Sequence, residues 1–306
     1  MKYNKEKLLS KNMMLYNKKI ISLDDKHAFD KMIDSNGTFS DLTHEEKLLF
    51  SDQKIGILPV LVHIPHSGTN IPDEINRKFT IPTRAIKDEL LSMTDHFTDQ
   101  LFYSKSLVMR VNGLSRLVVD PERFRNDADE PMSLHGKGAI YTKTLQGIPL
   151  RELTKKESDD LLENYYDVYH NRLNYEVEQL IKYHDKCLII DGHSFPSEPF
   201  SYEDNENEAR PHFCIGTCSF HTPINIVNTV IEFFESNGYS VEVDFPFSGT
   251  MVPLPYYLAD RRVSSIMIEV NRKLYMDESA GMKNGSFNTI RVLINDLMKA
   301  IANSYV

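Results

Sequence analysis

A chain of 306 residues has room for one large domain or two modest ones, with a sizeable buried core. Hydrophobic residues at 41% and charged residues at 26% are values of an ordinary soluble folded protein and exclude disordered, collagenous and disulfide-scaffold classes. Lys and Arg number 35 against 44 Asp and Glu, a net charge of -9 with the basic residues scattered, which argues against nucleic acid and anionic membrane as partners.

The first fifty residues are polar and lysine-rich, and the opening MKYNKEKLLSKNMMLYNKK lacks the apolar centre and small-residue cleavage site of a secretory signal. A cytoplasmic location is therefore expected. Thr43-His44-Glu45-Glu46 fits a capping box ahead of Lys47-Leu48-Leu49-Phe50, so residues 1–50 read as a partly helical N-terminal extension and residues 51–306 as the folded domain. The run Ile57 to Val62 is too short for a helix and suits a strand buried on both faces; with Gly56, Pro59 and His63 nearby, it is no membrane span. Helical patterning is expected at Ile86 to Tyr103. Strand-like runs follow at Leu107 to Val111 and Leu117 to Val119.

A capping box at Thr154 and Glu157 opens the longest helix, running to about Tyr183 with Leu161, Leu162, Tyr165, Tyr169, Leu173, Val177, Leu180 and Ile181 as its apolar stripe. Further strands are expected at Cys187 to Ile190, His212 to Ile215, Val241 to Val243 and Ser264 to Val270. Helices are expected at Pro223 to Ser236, stopped by Asn237-Gly238, and at Ser286 to Asn303. The polar stretch Ser197 to Arg210 reads as a surface loop. This alternation implies an α/β domain with helices on both faces of a parallel or mixed sheet. The three cysteines Cys187, Cys214 and Cys218 are too few for a disulfide framework and are expected to be free thiols.

In open α/β sheets ligands bind beyond the carboxyl ends of the strands. Three predicted strands end in reactive clusters: His63-Ile64-Pro65-His66-Ser67-Gly68, Asp191-Gly192-His193-Ser194 and Glu269-Val270-Asn271-Arg272. Two histidines and a carboxylate suit a catalytic zinc that keeps one position for water. His66 and His193 are the nitrogen ligands expected. Asp95 is the favoured third ligand, and Asp99, one turn on, competes with it. Glu269, emerging from the sheet beside the metal, is the expected general base; an ion pair with Arg272 or another arginine is the alternative. Arg116, Arg123 and Arg272 offer guanidinium forks for the carboxylates of a small acidic substrate, whereas Arg125 is read as an ordinary ion-pair partner. Ser67 and the turn Ser248-Gly249-Thr250 add hydroxyls that could line a substrate pocket.

Taken in order, PHSGTNIP (Pro65 to Pro72), TDHFTDQLF (Thr94 to Phe102), SRLVVDPERF (Ser115 to Phe124), GAIYT (Gly138 to Thr142), DGHS (Asp191 to Ser194), PFSGT (Pro246 to Thr250) and IEVNRKLYMDE (Ile268 to Glu278) resemble the N-formylglutamate amidohydrolase family. The resemblance implies a three-layer α/β/α fold with a mixed, mainly parallel sheet, related to the zinc carboxypeptidases in the phosphorylase/hydrolase-like group. It implies one Zn2+ ion held by His66, His193 and Asp95, and Glu269 as the general base. The reaction implied is hydrolysis of N-formyl-L-glutamate to formate and glutamate in histidine degradation, with Arg123 on a substrate carboxylate; in the mechanism expected, Arg116 or Arg123 holds a carboxylate or the oxyanion. Glu122 departs from the Asn-Arg pair of many relatives, which keeps one rival alive, a related zinc amidohydrolase or carboxypeptidase-like enzyme acting on other N-acyl amino acids or peptides; a non-catalytic small-acid-binding protein is the rival from another class.

Overall fold

A computed structural model describes residues 58–200 and 209–306. The N-terminal extension, its boundary at residue 50, the helix expected from Thr43 and part of the polar Ser197 to Arg210 stretch lie outside the described residues. Six strands form one sheet in the order β2-β1-β3-β6-β4-β5: β1 (Val60–Ile64), β2 (Val108–Val111), β3 (Cys187–Phe195), β4 (Phe213–Gly216), β5 (Val241–Val243) and β6 (Val263–Asn271). All neighbours are parallel except β4 against β6. The fold is α/β with a mixed, mainly parallel sheet, as the alternation of runs implied.

Side-chain alternation sends successive residues of the central strands to opposite faces. On one face Val60, Val62, Ile64, Leu188, Ile190, Ile266 and Ile268 form the largest core with helices α3 (Thr98–Leu101), α6 (Ile224–Ser236) and α7 (Phe287–Tyr305). On the other face Leu61, Cys187, Ile189 and Val263 meet Leu173, Val177, Leu180 and Ile181 of α5 (Asp167–His184). The expected three layers result. Among the described residues, no helix is long and apolar enough to cross a membrane.

Three expectations need correction. The segment from Ile86 to Tyr103 is not one helix: α2 (Thr83–Met93) stops, and the chain turns through Thr94 to Phe97 before α3. Apolar spacing continues across the break, but the Asp95 amide donates to the His66 carbonyl at 3.0 Å and Phe97 takes a left-handed conformation at φ 66°. Leu117 to Val119 is a buried turn segment rather than a strand, its Val118 amide donating back to the Ser115 carbonyl. Third, the DGHS residues lie inside β3, not beyond it.

The long helix from Thr154 forms with both bonds of its capping box, but as α4 (Lys155–Leu161), a π-turn (Leu162–Tyr166) and α5. The extra residue of a π-turn shifts the helical phase. Leu161, Leu162, Tyr165 and Tyr166 thereby serve a separate small core with Leu114, Val118 and Val119, while Leu173 and Val177 serve the sheet. All three cysteines are free thiols.

Candidate active site

The same alternation that builds the core builds the site. His63 follows Leu61 by two residues, Asp191 and His193 follow Ile189, and Glu269 lies six beyond Val263, so all four share the α5 face near the carboxyl ends of β1, β3 and β6. Gly192, between Asp191 and His193, points to the opposite face, where an added Cβ would meet Ile64 at 2.6 Å and Phe102 at 2.9 Å. Only glycine lets these strands pack this closely. His66 stands just past β1, and Gly68 lies so near the chain beyond β2 that a Cβ would meet the Gly113 backbone at 2.5 Å.

His66, Asp191, His193 and Glu269 line a cavity of about 220 Å³. Its wall includes His66, Asp95, Arg116, Glu122, Arg123, Lys137, Tyr141, Asp191, His193, Ser248, Thr250, Glu269 and Arg272. Ser67 is not among the residues that line it. Asp95 faces the cavity, whereas Lys283 is the charge acting on Asp99. The two imidazoles are close, with ring centroids 5.1 Å apart.

Each imidazole turns one nitrogen toward Glu122 and the other toward a carboxylate behind it. His66 Nδ1 lies 3.6 Å from Glu122 Oε2 and its Nε2 lies 2.8 Å from Asp120 Oδ1. His193 Nε2 lies 3.1 Å from Glu122 Oε2 and its Nδ1 lies 3.1 Å from Asp95 Oδ2. His66, Glu122 and His193 form one of two groups of three among the described residues whose ligand atoms lie within 4.8 Å of one another. Asp95 Oδ2 is also 3.7 Å from His66 Nδ1, and its Oδ1 accepts from Arg272 Nη2 at 2.9 Å. Carboxylates behind histidines are the usual second layer around a metal, fixing ring orientation and tautomer.

Electrostatics follow from burial. Burial alone would raise the Asp120 carboxyl, but Arg116, His66 and Arg123 hold it well below the ordinary carboxylate range. Arg116 Nη2 donates to Asp120 Oδ2 at 2.8 Å and the Tyr141 hydroxyl donates to the same oxygen at 2.7 Å. For Asp95, too, burial is outweighed, by His193, His66 and Arg272. Glu269 goes the other way: burial raises its carboxyl against the opposing pull of His193, Asp95 reinforces the rise, and Oε2 has no hydrogen-bond partner. The buried Arg123 Nε is likewise without a hydrogen-bond partner and stands 3.9 Å from Asp120.

Arg272 is buried and committed, donating to Asp95, to the Ser92 carbonyl at 2.6 Å and to Ser194 Oγ at 3.2 Å. It does not pair with Glu269 as the sequence alternative had it. Arg125 pairs with Asp167 at 2.7 Å, and Thr250 Oγ1 meets Ser265 Oγ at 2.7 Å.

Sequence reasoning missed Glu122 as a ligand candidate, His63 as a site residue, and Lys137 and Tyr141 in the wall. It had treated Glu122 only as a departure from a pattern. Its loop is fixed from α5 and the π-turn: Tyr166 Oη donates to the Arg123 carbonyl at 2.7 Å and His170 Nε2 to the Pro121 carbonyl at 2.8 Å. No local periodicity marks such a loop.

The N-formylglutamate amidohydrolase family model matches residues 58–276. A Pseudomonas putida protein named N-formylglutamate deformylase is 26% identical over 234 residues, 73% of this chain and 84% of that protein. Its namesake from Pseudomonas aeruginosa is 24% identical over 260 residues, covering 81% and 94%. Among solved structures, the N-formylglutamate amidohydrolase of Ralstonia eutropha JMP134 superposes with a TM-score of 0.71 at 23% identity, covering 81% of this chain and 94% of that one. A gene product of Agrobacterium tumefaciens gives 0.58 at 17% identity, covering 82% and 93%. The two structures support the fold; the family match runs over most of the sequence, and the chain belongs to the N-formylglutamate amidohydrolase family.

Proposed function

We propose that this chain hydrolyses the N-formyl amide of N-formyl-L-glutamate to formate and L-glutamate, using a divalent cation held by His66, Glu122 and His193 with Asp120 and Asp95 behind the imidazoles. The observation that carries the reading is the pairing of this donor set with the buried, unpartnered Glu269 Oε2 on one cavity wall. Two imidazoles and a carboxylate suit Zn2+, and a cation so held would supply Lewis-acid activation of the amide carbonyl and of water.

The chain's own residues do the rest. Arg123, whose Nε has no hydrogen-bond partner, takes a substrate carboxylate in a charge-assisted bond. Ser248 and Thr250 line the same cavity, and Arg116 lends positive charge near the reacting carbonyl oxygen while remaining tied to Asp120. Glu269 accepts the proton of the attacking water and delivers it to the leaving nitrogen. A raised carboxyl suits both halves of that transfer, since a base too acidic would hold the proton poorly.

Formate release measured across N-formyl and N-acetyl derivatives of glutamate, aspartate and leucine tests the reading. Turnover fastest with N-formylglutamate is expected. Faster turnover of an N-acetyl or apolar substrate would transfer the proposal to another N-acyl amino acid, and no hydrolysis of any member by metal-loaded protein would overturn it.

A further inference from the structure

Glu122 is the hub of three imidazoles, not two. Its Oε2 faces His66 and His193, and its Oε1 lies 3.7 Å from His63 Nδ1. His63 Nδ1 is in turn 2.8 Å from Asp191 Oδ1, and His63, Glu122 and Asp191 form the second of the two candidate ligand groups among the described residues. Ligand atoms of a tetrahedral zinc at about 2.0–2.1 Å lie about 3.3 Å from one another. The spacings at His63 (2.8 and 3.7 Å) bracket that value within about 0.5 Å, more loosely than those at His66 and His193 (3.6 and 3.1 Å).

The outer layer repeats as well. His63 Nε2 is 2.7 Å from the Tyr169 hydroxyl, so this imidazole too has one nitrogen fixed from behind and one turned inward. Asp191 Oδ2 accepts from the Met251 amide at 2.8 Å, which leaves Oδ1 as its inward oxygen. Where Asp95 and Asp120 have arginines against them, the partners of Glu122 and of the inward Asp191 oxygen are imidazoles. Carboxylates so placed favour added positive charge.

Building on the proposed metal site, we propose that this chain binds a second divalent cation at His63, Glu122 and Asp191, with the two Glu122 oxygens bridging the pair. Paired ions in hydrolytic centres stand about 3.5–4 Å apart, a separation that one carboxylate spans.

The test is stoichiometry. Metal-stripped full-length protein is titrated with Zn2+ alone, bound zinc is counted by elemental analysis after desalting, and Mn2+-loaded protein is examined by electron paramagnetic resonance. Two equivalents per chain and a spin-coupled Mn2+ pair are expected. His63→Gln and Asp191→Asn should weaken the second equivalent by about tenfold or more and abolish the coupling while keeping the first. One equivalent in the parent protein, unaffected by either variant, overturns the second site and leaves the proposed function standing. One equivalent lost in His63→Gln overturns the paired arrangement by moving the single ion. No bound zinc at all overturns both proposals. The parent measurement decides even if a variant fails to fold.

Discussion

His193 and Glu269 occupy matching positions on adjacent parallel strands, β3 and β6, and both side chains reach the same cavity. Strand pairing, not a loop, fixes how far the imidazole proposed to hold the metal stands from the carboxyl proposed to accept the proton. Glu269→Gln keeps shape while removing the basic oxygen. Formate release by the variant should fall by about 10²–10⁴-fold with zinc content unchanged, since that is the range of general-base contributions. Near-parent turnover would remove Glu269 from the mechanism.

The two carboxylates behind the imidazoles predict a graded series of metal affinities. His193→Ala removes a ligand and should empty the site at micromolar zinc. Asp95→Asn and Asp120→Asn leave the ligands in place and should weaken zinc by about 10–100-fold, the usual cost of losing a partner behind a ligand. Competition with a chelator measures all three. Asp95→Asn proving as severe as His193→Ala would make Asp95 a direct ligand, as the sequence had suggested.

Arg123 should reveal itself in substrate affinity. Charge-assisted bonds to ionised groups contribute about 1.5–3 kcal/mol, so Arg123→Met should raise KM for N-formylglutamate by about 10–150-fold with a smaller change in kcat. Steady-state kinetics at fixed zinc separates the two, and an unchanged KM would reassign the carboxylate to another cation such as Lys137.

His170 predicts an acid-sensitive component of stability. Burial lowers its imidazole to about 4, against an ordinary 6.5, although the Pro121 carbonyl pulls the other way. Between those values the unfolded chain takes up the proton first, so stability is complete above about 6.5 and declines as pH falls toward 4. At 1.36 kcal/mol per pH unit the gap amounts to about 3 kcal/mol as an upper bound. Urea unfolding from pH 7.5 to 4.5 should show the decline, and His170→Gln should flatten it.

Much of this was legible in the sequence because parallel strands buried on both faces give short apolar runs that end at chemistry. His66, His193 and Glu269 were found in that way, and the structure brings them together. Glu122 was not found as a ligand candidate, since it lies in a loop whose preceding residues, Leu117 to Val119, mimic a strand while forming a buried turn. His63 was read as part of the reactive cluster that follows the first strand but given no ligand role; its chemical setting comes from long-range contacts with Tyr169, Asp191 and Glu122. The break before Asp95 was hidden too. Local periodicity persisted, and a tertiary hydrogen bond from the Asp95 amide to His66 overrode it.

The π-turn at Leu162–Tyr166 lets one rod face two directions, its first half toward the loops it cradles and its second half toward the strands. Excising Asn164 would return the rod to uniform winding and rotate one half by about 100° relative to the other. Either the sheet would lose its cover or Tyr166 would release the Glu122 loop. Two separate parts of the protein depend on opposite sides of this one turn.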